Sequence, residues 1–139
     1  MNFIDRAFEQ KLSGYGFLQA MADIFSEPEV RKVLHQYPKF VSDVISVIEY
    51  DTALVMDGFD DIINGNLSGR CTEIIDALER CGAKKEADIL RKAKELSDTD
   101  ETRYDEEYDS FCSQLALNND YEGFWDIVQA YIDKNLVAP

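Results

Sequence analysis

Apolar residues recur at helical spacing along almost the whole chain, and this periodicity limits the fold more than any other feature. The clearest segment places Cys71, Ile74, Ile75 and Leu78 at positions i, i+3, i+4 and i+7, the pattern of an amphipathic α-helix. Gly82 follows at the position of a helix C-cap. Similar stripes occur within residues 3–12, 17–25, 30–34, 40–54, 83–96, 104–115 and 124–132. The chain is therefore predicted to be all-α: a single compact domain over residues 1–139, with about seven to nine helices in an irregular, orthogonal bundle.

Three short segments bear on where these helices begin and end. The β-branched run from Val44 to Ile48 favours a strand by propensity alone, but no second strand of similar strength is present to pair with it, so it is predicted to be helical. The segment Gly14-Tyr15-Gly16 is predicted to be a turn that breaks the first stripe. Residues 97–103 form a polar stretch, which is predicted to connect two helices.

The charge of the chain restricts its partners. It has 28 acidic and 14 basic side chains, a net charge of −14, which repels nucleic acid and anionic membranes and favours a basic protein partner. Acidity that serves only solubility is the alternative explanation. No apolar stretch approaches the roughly 18 residues that span a membrane, and the N-terminus does not resemble a signal peptide. Three cysteines without a CxxC motif fit a reducing compartment, so a cytoplasmic location is predicted.

Catalysis finds little support in the sequence. His35 is the only histidine, and no nucleophile elbow or phosphate-binding loop accompanies it. The cysteines are too far apart for a zinc site. Residues 98–109 begin like a calcium loop, with acids at the first and third positions, but the required glycine is Arg103 and the closing glutamate is Asp109. We therefore predict no enzyme activity, no cofactor and no bound metal.

Acidic side chains are predicted to share one face of the helix predicted within residues 104–115. If Tyr104, Tyr108 and Phe111 face inward, Asp105 and its neighbours point outward, with about 5–6 Å between residues three or four apart. Such like-charged pairs oppose helix formation by a few tenths of a kcal/mol each. The candidate partner-binding residues are Asp57, Asp60, Asp61, Asp98, Asp100, Glu101, Asp105, Glu106 and Asp109. Further negative surface is expected from Glu73, Asp76 and Glu79. A solvated acidic face without a partner fits the same pattern.

The order of features from Tyr50 onward resembles a family of small acidic bacterial proteins, the DUF4375 or DNA-mimic-like family. The similar segments are Met56-Asp57-Gly58-Phe59-Asp60-Asp61 after a long helix, then residues 77–83 followed by 87–93 as two helices joined at Gly82-Ala83, and residues 104–111 before a closing helix with Tyr131-Ile132. Asp60-Asp61-Ile62-Ile63 departs from the polar-aromatic continuation of many members. The resemblance implies an all-helical domain that is often dimeric. It also implies, for at least one branch, an acidic decoy that keeps a transcription factor off DNA.

These observations lead to a ranked set of functional hypotheses. The first is a DNA-mimic-type interaction protein that binds a transcription factor or another nucleic-acid-binding protein and blocks it. The alternative is an immunity or antitoxin-like protein that neutralises a toxin such as a nuclease, because an acidic helical surface serves that role equally well. A metal-dependent enzyme that uses paired carboxylates ranks third.

Overall fold

A computed structural model describes residues 1–137, and this part of the chain is helical, with no β-strand. The α-helices are α1 (Phe3–Glu9), α2 (Gly14–Met21), α3 (Lys39–Met56), α4 (Phe59–Ile63), α5 (Cys71–Cys81), α6 (Lys84–Thr99), α7 (Glu101–Gln114), α8 (Ala116–Asn119) and α9 (Tyr121–Val137). Three 3-10 helices cover Ala22–Phe25, Pro28–Gln36 and Ser68–Arg70. Eight of these elements are seven residues or longer. The predicted all-α, single compact domain is confirmed.

Helix α3 lies at the centre of the molecule. It packs against α2, α4, α5 and α9, and eleven of its eighteen residues are buried. The run from Val44 to Ile48 belongs to this helix, as predicted. A helix with apolar residues on nearly every side is stable where neighbours surround it, and this environment overrides the β propensity of the branched side chains.

The C-terminal half is built from successive helices that pack on their neighbours. α5 contacts α6, and α6 contacts α7. Gly82 ends α5 with φ of 97°, a left-handed conformation that favours glycine, and the N–H of Ala83 donates to the carbonyl of Leu78 at 2.9 Å. The predicted C-cap at Gly82 is confirmed. Small buried residues of α6, Ala87 and Ala93, allow this helix to approach its neighbours closely.

Some predicted boundaries and buried positions are wrong. Residues 97–103 do not form a connector, because α6 continues to Thr99 and α7 begins at Glu101, with Asp100 between them. The segment Gly14-Tyr15-Gly16 is the first turn of α2, where the N–H of Gly14 donates to Asp133 of α9 at 2.7 Å. Phe25 and Ile127, both expected on apolar faces, are 52% and 41% exposed.

Buried carboxylates tie α3 and α6 to the rest of the fold. Asp43, 1% exposed, accepts hydrogen bonds from Nε and Nη2 of Arg80 at 2.9 and 2.8 Å, and from the Tyr131 hydroxyl at 2.7 Å. Glu49 of α3 forms ion pairs with Arg31 and Arg70. Because a buried charge is tolerated only when it is paired and hydrogen-bonded, these contacts fix the neighbouring elements against α3.

Glu86 of α6 forms a second buried link. Its carboxylate accepts hydrogen bonds from the Tyr50 hydroxyl of α3 at 2.8 Å and from the N–H of Ala116 in α8 at 2.6 Å. Burial raises the pKa of the Glu86 carboxyl, although these hydrogen bonds act in the opposite direction. Glu86 therefore anchors the turn that follows α7.

In the described part of the chain, no helix is both long and apolar enough to cross a membrane.

Candidate protein-interaction surface

Helix α7 carries its aromatic and its unpaired acidic side chains on two separate, adjoining faces. Tyr104 is buried, and Tyr108 and Phe111 are partly buried against Phe59 of α4, with ring centroids 5.9 and 6.4 Å from it. At 100° per residue these three aromatic residues of α7 cover about 60° of the helix, and four exposed acids cover about 140° of the adjoining surface, beginning about 20° from Tyr108. We call these four residues the α7 acidic face: Glu101, Asp105, Glu106 and Asp109. Within residues 1–137, none of the four carboxylates has a hydrogen-bond or ion-pair partner.

The start of α7 is stabilised by its own acidic cap. The side chain of Asp100 accepts a hydrogen bond from the N–H of Arg103 at 3.2 Å, and the N–H of Asp100 donates to the carbonyl of Leu96 at the end of α6. A carboxylate at an N-cap also interacts favourably with the helix dipole. Asp98 in the last turn of α6 pairs with Lys94 at 3.6 Å. Both acids therefore lie exposed beside the first turn of α7.

Residues 57–61, which comprise the turn before α4 and its first residues, lie against α7, so the structure brings the two predicted acidic segments together. The Tyr104 hydroxyl donates to the Asp60 carboxylate at 2.8 Å, and the N–H of Asp60 donates to the Tyr108 hydroxyl at 3.2 Å. Burial and the Asp60 contact raise the pKa of Tyr104, which keeps this hydroxyl protonated as a donor. Gly58, with φ of 91°, makes the reversal that places α4 under α7.

The three acids within residues 57–61 differ in how many contacts they make within the fold. Asp60 accepts hydrogen bonds from Tyr104 and from the side chain of Asn64 at 2.9 Å. Asp61 is half-buried and accepts from the N–H of Asn66 at 3.0 Å. Asp57 is exposed, and the described residues give it no side-chain partner. Asp57 therefore extends the negative surface, while Asp60 and Asp61 also stabilise the conformation of residues 60–66.

Helix α5 contributes less negative surface than the sequence indicates. Glu73 pairs with Arg70 at 3.4 Å and Glu79 with Arg91 at 3.5 Å, whereas Asp76 is exposed without an ion pair in residues 1–137. Over the same residues, eight acids form ion pairs: Glu27, Asp43, Glu49, Glu73, Glu79, Asp88, Asp98 and Glu107. Most of the 28 acids therefore keep uncompensated charge at the surface.

The residues that were weighed for catalysis or metal binding lie in different surroundings. His35 is exposed. Burial raises the pKa of Cys71 and Cys112, and raises that of Cys81 to about 12, so these thiols stay protonated. In the described part of the chain no group of three or more His, Cys, Asp or Glu side chains is placed to hold a metal ion. The calcium-loop-like residues 98–109 run through the end of α6 and most of α7, so they cannot wrap around an ion.

The buried carboxylates are the polar residues that the sequence reasoning missed. Asp43, Ser46 and Tyr50 stand three, then four, residues apart along α3, and Glu86 shares its helical phase with buried Leu90 and Ala93. Polar residues in phase with an apolar stripe are a signal that buried partners exist. Their charged partners come from other elements, so the pairing itself is not readable from the spacing.

The fold and this surface define a class: a small helical protein that displays an unpaired, strongly acidic helix face. Residues 35–135 match the family described as DMP19-like protein. The chain therefore belongs to the DMP19-like family. Comparisons with curated proteins and with solved structures gave no match.

The predicted membership in the DUF4375 family is wrong, because the family that matches is the DMP19-like one. The segments behind the resemblance are turns and packing contacts. Gly58 and Gly82 both adopt positive φ between helices, and Ala87 and Ala93 are buried at helix contacts. Such features meet general steric requirements of helical proteins. They indicate the fold class correctly but do not distinguish one helical family from another.

Proposed function

We propose that this protein is a DNA-mimic-type interaction module that binds a basic, nucleic-acid-binding protein and blocks its DNA site. The observation that carries the proposal is the α7 acidic face, four exposed carboxylates without partners in the described chain, on a helix that is held by aromatic packing. The DMP19-like family is itself a DNA-mimic family, and this membership supports the same role.

The charge spacing on α7 supports competition with DNA. From Glu101 to Asp109 the helix rises about 12 Å, in axial steps of about 6, 1.5 and 4.5 Å between successive acids, so the four carboxylates average one charge per 4 Å or so of axis. One strand of B-DNA carries a phosphate charge every 3.4 Å or so. A basic site that is built to contact a row of phosphates would therefore meet a similar linear charge density on α7. Asp57, Asp98 and Asp100 widen this surface at its α4 end and at the start of α7.

The rigidity of the surface favours binding over simple solubility. Tyr104 and Tyr108 fix α7 to Asp60 of α4 through hydrogen bonds, and the Asp100 cap fixes the first turn of α7. Charges that are already ordered lose less conformational entropy when a partner binds. The proposed mechanism is electrostatic competition, which increases the association rate and weakens as salt screens the charges. The immunity-type alternative would use the same surface and stays a prediction, as does a homodimer.

The proposal is tested by reversing charge on α7. The variant Asp105→Lys, Glu106→Lys, Asp109→Lys is compared with Glu9→Lys, Asp23→Lys, Glu29→Lys, which changes the net charge equally at exposed acids without ion pairs in residues 1–137. Each protein is used as bait for the DNA-binding proteins that a DNA column retains from a lysate of the source organism. We expect the wild type and the control variant to capture the same partner and the α7 variant to lose it.

Two further readouts decide the mechanism. Added duplex DNA should displace the captured partner, and its affinity should fall about tenfold or more between roughly 50 and 300 mM salt. Circular dichroism should show the same helix content in all three proteins. Equal capture by the α7 variant, or no partner recovered at low salt by the wild type, would contradict the proposal.

A further inference from the structure

A groove of about 670 Å³ opens between α2, α3 and α9 and shares no residue with the α7 acidic face. Its aromatic side chains stand unusually open to solvent: Tyr15 is 53% exposed, Phe25 52% and Tyr121 49%. Trp125 lies beside Tyr121, with 6.2 Å between ring centroids in an edge-to-face arrangement. Exposed aromatic rings around one concave site are typical of surfaces that bind another molecule.

Two buried polar atoms at this groove have no hydrogen-bond partner of good geometry within residues 1–137. They are the acceptor Oδ1 of Asp51 and the donor Nε1 of Trp125. Burial raises the pKa of the Tyr121 hydroxyl, and Nε1 lies close enough to that group to oppose the rise, but it makes no well-aligned hydrogen bond to it. The other oxygen of Asp51, Oδ2, accepts from the Tyr121 hydroxyl at 3.2 Å. Buried polar groups in native structures almost always have partners. The presence of two unpaired groups at one groove indicates that a ligand would supply the missing donor and acceptor.

The charge of the groove specifies the ligand. Its lining residues include the carboxylates of Asp51, Glu122 and Asp126 and, within the described chain, no Lys, Arg or His. Burial raises the pKa of the Asp51 carboxyl, opposed only by the Tyr121 hydrogen bond. A guanidinium beside this carboxyl would stabilise its charged form through charge-assisted hydrogen bonds and so offset the cost of its burial. The groove is therefore complementary to a cationic group that also stacks on aromatic rings.

We propose that this groove binds an arginine side chain carried by a segment of a partner protein. The planar guanidinium donates two parallel hydrogen bonds to a carboxylate and stacks on aromatic faces, which the compact ammonium of lysine does less well. A backbone carbonyl of the same segment supplies the acceptor for Nε1 of Trp125. The guanidinium approaches Asp51 from within the groove, which Asp51 lines together with Tyr121 and Trp125. The inference does not depend on the proposed function of α7.

The single tryptophan of the chain provides the test, since Trp125 lines the groove. The acetylated and amidated pentapeptide Gly-Gly-Arg-Gly-Gly is titrated into the protein while tryptophan emission is recorded. Matched peptides carry citrulline, which is neutral and has nearly the same shape, or lysine in place of arginine. We expect a saturable change with the arginine peptide, about tenfold weaker binding with lysine, and still weaker binding with citrulline.

Two variants locate the site. Asp51→Asn keeps the side-chain shape and should reduce the affinity for the arginine peptide about tenfold or more. Glu29→Gln, at an exposed acid outside both the groove and the α7 acidic face, should leave it unchanged. The triple lysine variant of α7 should bind the peptide like the wild type, so failure of one proposal is distinguishable from failure of the other. Equal binding of the arginine and citrulline peptides, a signal that never saturates, or full affinity in Asp51→Asn would overturn the inference.

Discussion

At the scale of single residues, the carboxylates of this protein have two different roles. Asp43, Glu49 and Glu86 are 1–5% exposed and are held by partners from other elements. Glu101, Asp105, Glu106 and Asp109 are exposed and have no such partners in the described chain. The same residue type therefore builds the core in one place and the interaction surface in another. The position of each acid relative to the apolar stripe of its own helix decides which of these two roles it has.

Glu86 allows the first role to be measured. In the Glu86→Gln variant the amide oxygen still accepts from Ala116, and the amide N–H donates to the Tyr50 oxygen, so we expect stability within about 1 kcal/mol of wild type at neutral pH. In Glu86→Ala the buried N–H of Ala116 and the Tyr50 hydroxyl lose their partner, and we expect a loss of about 2–4 kcal/mol. Urea denaturation followed by circular dichroism measures both.

The raised pKa of Glu86 gives the sign of its pH dependence. The folded protein binds this proton more tightly than the unfolded chain, so the contribution is most favourable at low pH. It declines as pH rises from about 4.3, the ordinary glutamate pKa, through the raised pKa of the folded state. Glu86→Gln has no such proton. Its stability relative to wild type should therefore increase between pH 4 and neutrality; a constant difference over this interval would contradict the assignment.

At the scale of helices, the sequence predicts what local chemistry determines. Cys71–Cys81 was predictable because an apolar stripe, a polar face and a C-capping glycine agree over one short segment. The α6–α7 junction was not, because Ser97 and Asp98 look like loop residues yet continue α6, and a single residue, Asp100, suffices as the connection. Exposure of Phe25 and Ile127 also escaped prediction. Helical phase shows which residues share a face, but tertiary packing decides which faces are covered.

The same reasoning explains how much of the candidate surface was predictable. The outward orientation of Asp105, Glu106 and Asp109 followed from the aromatic stripe of α7, and the structure places them there. The contact between Asp60 and Tyr104 spans 44 residues, and no local pattern specifies it. The groove at Asp51 and Trp125 also combines distant segments. Long-range pairings of this kind require the tertiary arrangement of α2, α3, α4, α7 and α9.

The Asp100 cap yields a prediction at this scale. Asp100→Ala removes the acceptor for the N–H of Arg103 and should destabilise the protein by about 1 kcal/mol, whereas Asp100→Asn retains a good cap and should change stability little. Asparagine also removes one negative charge beside the α7 acidic face. If the charge at this position contributes to binding, both variants should bind the partner slightly less well, although only the alanine variant is less stable. Thermal unfolding combined with a partner-binding assay separates the two effects.

At the scale of the whole molecule, the dominant quantity is a net charge of −14. Like charges at the surface repel one another in the folded state and separate on unfolding, so they reduce stability. Salt should relieve this repulsion over distances beyond the Debye length of about 10 Å at 0.1 M. The buried pairs of Asp43 with Arg80 and of Glu49 with Arg31 and Arg70 are screened much less. The net effect of moderate salt on the fold is therefore expected to be stabilising.

This argument predicts opposite effects of salt on folding and on binding. Between about 50 and 500 mM NaCl the urea midpoint should rise, because surface repulsion is screened, while affinity for a basic partner falls for the same reason. Loss of binding at high salt then cannot be explained by unfolding. The triple lysine variant of α7 serves as the matched comparison, since each reversal changes the net charge by two, and its midpoint should depend less on salt. A midpoint that falls as salt rises would mean that ion pairs, not surface repulsion, dominate the electrostatics of this fold.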